Sequence, residues 1–209
     1  FQADGSFTFD PADDFFGTDS FVYRIDDGSA VSLPATVTID MTAVNDAPYF
    51  DTLADTTINE DSPERIVNLT GITASGGENQ PLRITASSSN PGLIADPAVQ
   101  YNSAATSGIL TFTPAAEKSG SSVITVILED GGLDGNLSTP GDNASYQESF
   151  TVSVTNVNDL PTIAAIGDLV ILEDAGEQVI SLGGIGAGPE ESQSLRLTAF
   201  SENANIIPP

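Results

Sequence analysis

A five-residue phrase occurs twice in this chain. Val44-Asn45-Asp46-Ala47-Pro48 returns as Val157-Asn158-Asp159-Leu160-Pro161, so that Asp159 follows Asp46 by 113 residues. Positions downstream keep the spacing without a gap: Ile58, Glu60, Asp61, Glu64, Leu69, Gly71, Ile72, Gln80, Leu82, Arg83, Thr85 and Ala86 meet the same residue types at Ile171, Glu173, Asp174, Glu177, Leu182, Gly184, Ile185, Gln193, Leu195, Arg196, Thr198 and Ala199. A period close to the size of one small domain implies a tandem array of modules. Such arrays are extended and serve reach and attachment rather than chemistry.

The repeat also runs backwards. Gly5, Thr8, Phe9, Pro11, Gly17 and Asp27 precede Gly108, Thr111, Phe112, Pro114, Gly120 and Asp130 by 103 residues, which places a ten-residue insertion within 131–148 of the second copy. On this frame 1–46 is the back half of one module, 47–159 a complete module and 160–209 the front half of a third. The expectation is a window on a longer array.

Charge narrows the partners. Five basic residues against thirty acidic ones leave a formal charge of −25, whereas nucleic acids and anionic membrane surfaces are bound through a basic footprint. The natural partner of this surface is a cation. Cysteine is absent, so a module must fold on its hydrophobic core or on bound ions, which suits a bacterial surface protein. No apolar run approaches the roughly 18–20 residues that cross a bilayer, and no signal peptide opens the chain.

Between clusters of Gly, Pro, Asn, Asp and Ser lie short runs of alternating apolar and β-branched residues, with no sustained helical period. The middle module should place strands at Thr56–Asn59, Arg65–Leu69, Leu82–Ser87, Ala98–Asn102, Gly108–Thr113, Ser122–Leu128 and Gln147–Val157. In the last of these Phe150, Val152 and Val154 share one face, and Thr151, Ser153 and Thr155 the other. Seven strands in about 100 residues is the size of an immunoglobulin-like sandwich.

The residues at the module ends carry a resemblance. Leu128-Glu129-Asp130-Gly131-Gly132, Leu137-Ser138, the alternating strand and Val157-Asn158-Asp159-Leu160-Pro161 are similar to the end of a cadherin repeat. There an Asp-Gly-Gly turn, a Leu-Ser pair and a final strand lead into an Asn-Asp-Asn-X-Pro linker. Thr57-Ile58-Asn59-Glu60-Asp61 resembles the repeat's Pro-Glu-Asn opening, and Gly76-Gly77-Glu78-Asn79 sits where cadherins carry Asp-X-Asp and a Gly-Glu-Asn loop. The nearest look-alikes are the cadherin-like repeats of giant bacterial adhesins. The resemblance implies an all-β chain of tandem cadherin-like β-sandwich modules, one complete and two partial, at the cell surface.

It also implies Ca²⁺ at the junctions between modules. Calcium takes about six to eight oxygen ligands. Without it, two carboxylates about 4 Å apart repel by roughly 4 kcal/mol at an effective dielectric near 20. Carried over by position, the second junction would use Glu60, Glu117, Asn158 and Asp159, with Glu190 or Glu191 from the next module. The first would use Asp14, Asn45, Asp46, Glu78 and Asp130. The departures are Ala43 and Asn156 in place of the linker's first Asp, Ala12 and Ala115 in place of the first acid of the family's Asp-X-Glu, and the loss of Asp-X-Asp. Fewer or weaker ions per junction follow.

Other motifs have plainer explanations. The inserted loop holds Asp130, Asp134, Gly135, Asn136, Asp142 and Asn143, a spacing partly like that of a calcium loop, but Gly141 stands at the twelfth position counted from Asp130, so an ordinary acidic loop is favoured. Phe15, Phe16, Phe21 and Tyr23 are read as core and inter-sheet packing rather than a sugar-stacking platform. The Asn-X-Ser/Thr sites at Asn68, Asn136 and Asn143 are expected by accident. With no His, no Cys, no nucleophile elbow and no phosphate loop, enzymatic chemistry has no foothold. Lys118 faces Phe15 in the repeat, which argues against an isopeptide crosslink.

The leading expectation is a calcium-stiffened adhesive array whose partners are its neighbouring repeats and a glycan or other cell-surface ligand. The rivals are a carbohydrate-binding module of a secreted protein and a filament or sheath subunit. In the latter, the front half of one copy completes the back half of the next, head to tail.

Overall fold

The computed structural model describes residues 5–203. Residues 1–4 and 204–209 lie outside the described residues. Among the described residues nine strands form: β1 (Gly17–Tyr23), β2 (Ala35–Met41), β3 (Thr56–Asn59), β4 (Arg65–Leu69), β5 (Leu82–Ser88), β6 (Ala98–Gln100), β7 (Gly108–Phe112), β8 (Gly120–Asp130) and β9 (Ser145–Thr155). Among the described residues no helix is long and apolar enough to cross a membrane.

Strands β3 to β9 build an immunoglobulin-like sandwich. Its four-stranded sheet has the order β3-β9-β8-β5, and its three-stranded sheet the order β4-β7-β6. All pairs are antiparallel except β3 with β9, where Thr56 stands beside Val152 and Asn59 beside Thr155. The two inner faces share one core. Ile84, Ile124, Val126, Leu128, Phe150, Val152 and Val154 from the first sheet pack with Leu69, Leu110 and Phe112 from the second. The alternation in β9 sends Phe150, Val152 and Val154 inward as expected.

Three expected strands end early, β7 by one residue at Phe112 and two others for local reasons. β6 stops at Gln100 because Asn102–Ala105 makes a turn, with the Ala105 N–H on Asn102 O at 3.0 Å and Ala104 at φ 73°. β9 stops at Thr155, before Val157, because the Val157 N–H is taken by the Glu60 carboxylate at 2.6 Å. β8 is longer than expected at both ends, since β9 pairs with it from Gly120 to Glu129.

The flanking segments repeat parts of this plan. β1 pairs with β2 so that Gly17 opposes Met41, the register in which Gly120 opposes Val154 in the complete module. The Tyr49–Thr73 bridge likewise returns as Thr162–Gly186. Residues 169–201, however, form no strands. Their repeat-mates in β3, β4 and β5 pair with β9, β7 and β8, and no such strands follow among the described residues. Within the described residues their apolar side chains are uncovered: Val170 is 93%, Val179 89% and Phe200 87% exposed. The same reason corrects the expectation for Phe15 and Phe16, which are 49% and 55% exposed rather than packed. Phe21 does pack, edge to face against Phe7 at 5.0 Å between ring centres.

Candidate metal centre

At the end of the complete module, three separate stretches of chain converge. The turn after β3 brings Glu60 and Asp61, the turn between β7 and β8 brings Glu117, and the stretch after β9 brings Asp159. Asp61 and Glu117 both adopt left-handed backbone, at φ 56° and 57°. The Glu117 N–H donates to Asp61 Oδ1 at 3.0 Å, which locks the two turns together. One carboxylate oxygen from each of Asp61, Glu117 and Asp159 lies within 4.8 Å of the others.

Glu60 backs this group. It is buried, its N–H donates to Thr155 O at 2.9 Å, and its Oε1 accepts the Val157 N–H. Three carboxylate oxygens, Glu60 Oε2, Glu117 Oε2 and Asp159 Oδ2, are buried without a hydrogen-bond partner. Buried polar atoms are normally paired, because an unpaired one forfeits its hydration. Lys118 offers no relief, since its ammonium donates to Gly92 O. The Glu117 carboxyl is accordingly held above the usual carboxylate range. The cause is first its contact with the Asp159 carboxyl, then burial, then the charges of Asp159, Asp61 and Glu60.

The module that follows reaches back to the same place. The Asp159 N–H donates to Glu191 Oε1 at 2.8 Å, and the Ser119 N–H to Glu190 Oε2 at 3.4 Å. Gly188 lies so close that an added Cβ would stand 2.8 Å from both Asp159 Cβ and Glu191 Oε2. Its φ of +135° also suits glycine. Asn158 Oδ1 does not join the acids; it accepts Gln193 Nε2 at 2.9 Å.

The first junction repeats part of this arrangement. Asp14, Asp46 and Glu78 line a cleft of about 170 Å³ together with Gly76, Phe15 and Phe16. The Asp46 N–H donates to Glu78 Oε2 at 3.4 Å. Burial, followed by the nearby charges of Asp46 and Asp130, raises the Glu78 carboxyl despite that hydrogen bond. Asp130 does not line the cleft. It is fully buried, and Oδ1 accepts the N–H groups of Gly132 and Ala144 at 2.9 and 2.8 Å. Both its oxygens also accept Asn45 Nδ2, at 3.2 and 3.3 Å. Asp130 thus spends its oxygens on protein donors, and Asn45 spends its amide N–H groups on Asp130.

The inserted loop closes on itself in the same manner. Asp134 accepts the Asn136 N–H and the Thr139 hydroxyl, and its own N–H donates to Asp142. The acids placed together at the second junction include Asp61, which the positional carry-over passed over. Its signal was present: it belongs to the opening motif and recurs as Asp174.

Fold and geometry together define an immunoglobulin-like β protein with an acidic junction at the module end. Residues 1–40 match the family model described as a bacterial Ig domain. Among solved structures, the chain is similar to domains 4 and 5 of the S-layer protein SbsC, at 12% identity and a TM-score of 0.36, over 65% of this chain and 57% of that one. A longer piece of SbsC is similar at 13% identity and 0.39, over 72% and 18%. An endo-fucoidan hydrolase of glycoside hydrolase family 107 is similar at 21% and 0.37, over 70% and 20%. The chain therefore spans just over half of the first of these and about a fifth of the other two. No curated protein sequence matches it.

Proposed function

We propose that the chain is a non-enzymatic spacer of an extracellular bacterial surface structure, built of cadherin-like modules whose joint is stiffened by Ca²⁺. The observation that carries this reading is the set of three buried, unpartnered carboxylate oxygens where Glu60, Glu117 and Asp159 meet beside Asp61. Ligands that are all oxygen and come from separate stretches of chain suit calcium, which accepts irregular geometry, better than magnesium, which demands a near-ideal octahedron. Asp61, Glu117 and Asp159 would hold the ion directly, and Glu60 would complete the set. Bound there, calcium would neutralise their repulsion. The ligands come from the module and from the stretch that leaves it, so the ion favours the ordered joint by mass action, worth about 2.7 kcal/mol at a hundredfold excess over Kd.

The test is thermal melting and small-angle scattering with calcium, with magnesium and with a chelator. Calcium is expected to raise the melting temperature and lengthen the particle, and magnesium to do so less. Superimposable curves in all three conditions would remove the ion from the function.

A second reading keeps some support. A cleft of about 640 Å³ lies at the end of the three-stranded sheet, lined by Asn68, Gln100, Tyr101, Asn102 and Ser107 among others, with no charged residue. In so acidic a chain an uncharged, amide-rich lining suits a neutral sugar. Titration with neutral oligosaccharides, followed by amide shifts at these residues, would separate a carbohydrate-binding module from a plain spacer.

A further inference from the structure

One hydrogen-bonded unit appears at both junctions. At the first, Gln80 Nε2 donates to Asn45 Oδ1 at 2.8 Å and to Glu78 Oε2 at 2.6 Å. At the second, Gln193 Nε2 donates to Asn158 Oδ1 at 2.9 Å and to Glu191 Oε2 at 2.7 Å. In each case the same Glu accepts the N–H of the linker Asp, Asp46 or Asp159. The orientation of the amide is forced: a carboxylate can only accept, so the Gln must turn its NH₂ to it. Gln80 does so although its own Oε1 is left buried without a donor.

We infer that Gln80 and Gln193 are positioning residues whose amides stand between a linker oxygen and a loop carboxylate, where a cation would otherwise be needed. Each clasps the linker to the module that follows with no metal bound. The inference deepens the reading of the joint given above, and rests on it only in assigning the clasp to the service of an ion. The chemistry is direct. Asn Oδ1 and Glu Oε2 are two acceptors that cannot bond each other, and one neutral NH₂ supplies a hydrogen to both. Its bond to the carboxylate is charge-assisted and so stronger than a neutral one. The Glu, held in this way, keeps its second bond to the Asp N–H. That bond sets the backbone from which Asp159 offers its carboxylate to Asp61 and Glu117. Two junctions with different neighbours, Phe15 beside Asp14 in one and Lys118 beside Glu117 in the other, keep the same four partners, although Glu78 takes both bonds on Oε2 and Glu191 divides them between Oε1 and Oε2.

The experiment is amide hydrogen exchange of the full chain in chelator, read at Asp46 and Asp159, so its outcome does not depend on calcium binding. Gln193→Ala should lower protection of the Asp159 N–H about tenfold, as loss of a charge-assisted bond entails, and leave Asp46 unchanged. Gln80→Ala should do the reverse. Gln193→Glu keeps the side chain's length and shape but removes the donor, and should behave as alanine does. It also carries the test should the alanine variant fold poorly, with the β8 and β9 amides as the folding control. Wild-type protection at Asp159 in Gln193→Glu would show that packing, not the amide donor, holds the linker, and would overturn the inference. So would equal loss at both sites from either single variant. Loss of the calcium response with the exchange pattern intact would instead count against the proposed function alone.

Discussion

The cadherin resemblance groups Asp130 and Asp159 alike as junction acids, yet their surroundings differ. Asp130 is sealed in the protein, where Gly132, Ala144 and Asn45 all donate to it. Asp159 keeps a buried oxygen with no donor. Asp130→Ala strips three donors of their acceptor at about 1–3 kcal/mol for each group left buried and unpaired, and should lower the denaturant midpoint of the complete module whether or not calcium is present. Asp159→Ala should leave that midpoint in chelator nearly unchanged and abolish its rise with calcium. If Asp159→Ala unfolds the module, its carboxylate is a structural turn residue. Glu117 adds a pH signature. Its folded-state carboxyl binds a proton more tightly than the ordinary value of 4.5, so the folded state holds more protons than the unfolded one across that interval. The contribution of Glu117 to stability is therefore fully present below 4.5 and is lost as pH rises through the raised folded value, opposite in sign to that of Glu129, whose carboxyl is lowered by Arg83. Melting in chelator should follow this slope, and Glu117→Gln should flatten it.

At the scale of the element, β9 holds the module together. It lies between β3 and β8, sends Phe150, Val152 and Val154 into the core, and runs on into the linker. Phe150→Ala should cost about 3–5 kcal/mol, the usual price of emptying a buried aromatic site. Ser149→Ala, on the outer face, should remain within about 0.5 kcal/mol even though it removes the 3.1 Å contact with Thr125 Oγ1. Urea denaturation of the two variants makes the comparison. Equal losses would mean that the outer Ser/Thr face stabilises the sheet as much as the core does.

At the scale of the molecule, the flanking segments leave complementary faces open. The β1–β2 pair has the register of β8–β9, and 169–201 contains the repeat-mates of β3, β4 and β5 without their partners. Apolar faces and open strand edges of this kind tend to pair. The isolated 209-residue chain should therefore show a mass in light scattering that rises with concentration, through the front half of one copy joining the back half of another. A constant monomer mass at high concentration would rule out this complementation.

The sequence by itself determined the period, the strands and the direction in which they face. These are properties of local pattern: alternation at two residues in β9, turn residues between runs, and a 113-residue echo that also governs the Tyr49–Thr73 and Thr162–Gly186 bridges. The cadherin resemblance, not the pattern alone, grouped Glu60, Glu117 and Asp159 at one junction. It did not separate Asp130, consumed by its own turn, from Asp159, nor bring in Asp61 or the Gln80 and Gln193 clasps, although all three were visible as repeats. Only the tertiary structure decided these points. Whether a carboxylate is free to hold an ion depends on which donors reach it, and such donors arrive from residues tens of positions away, as Asn45 does at Asp130 and Val157 at Glu60.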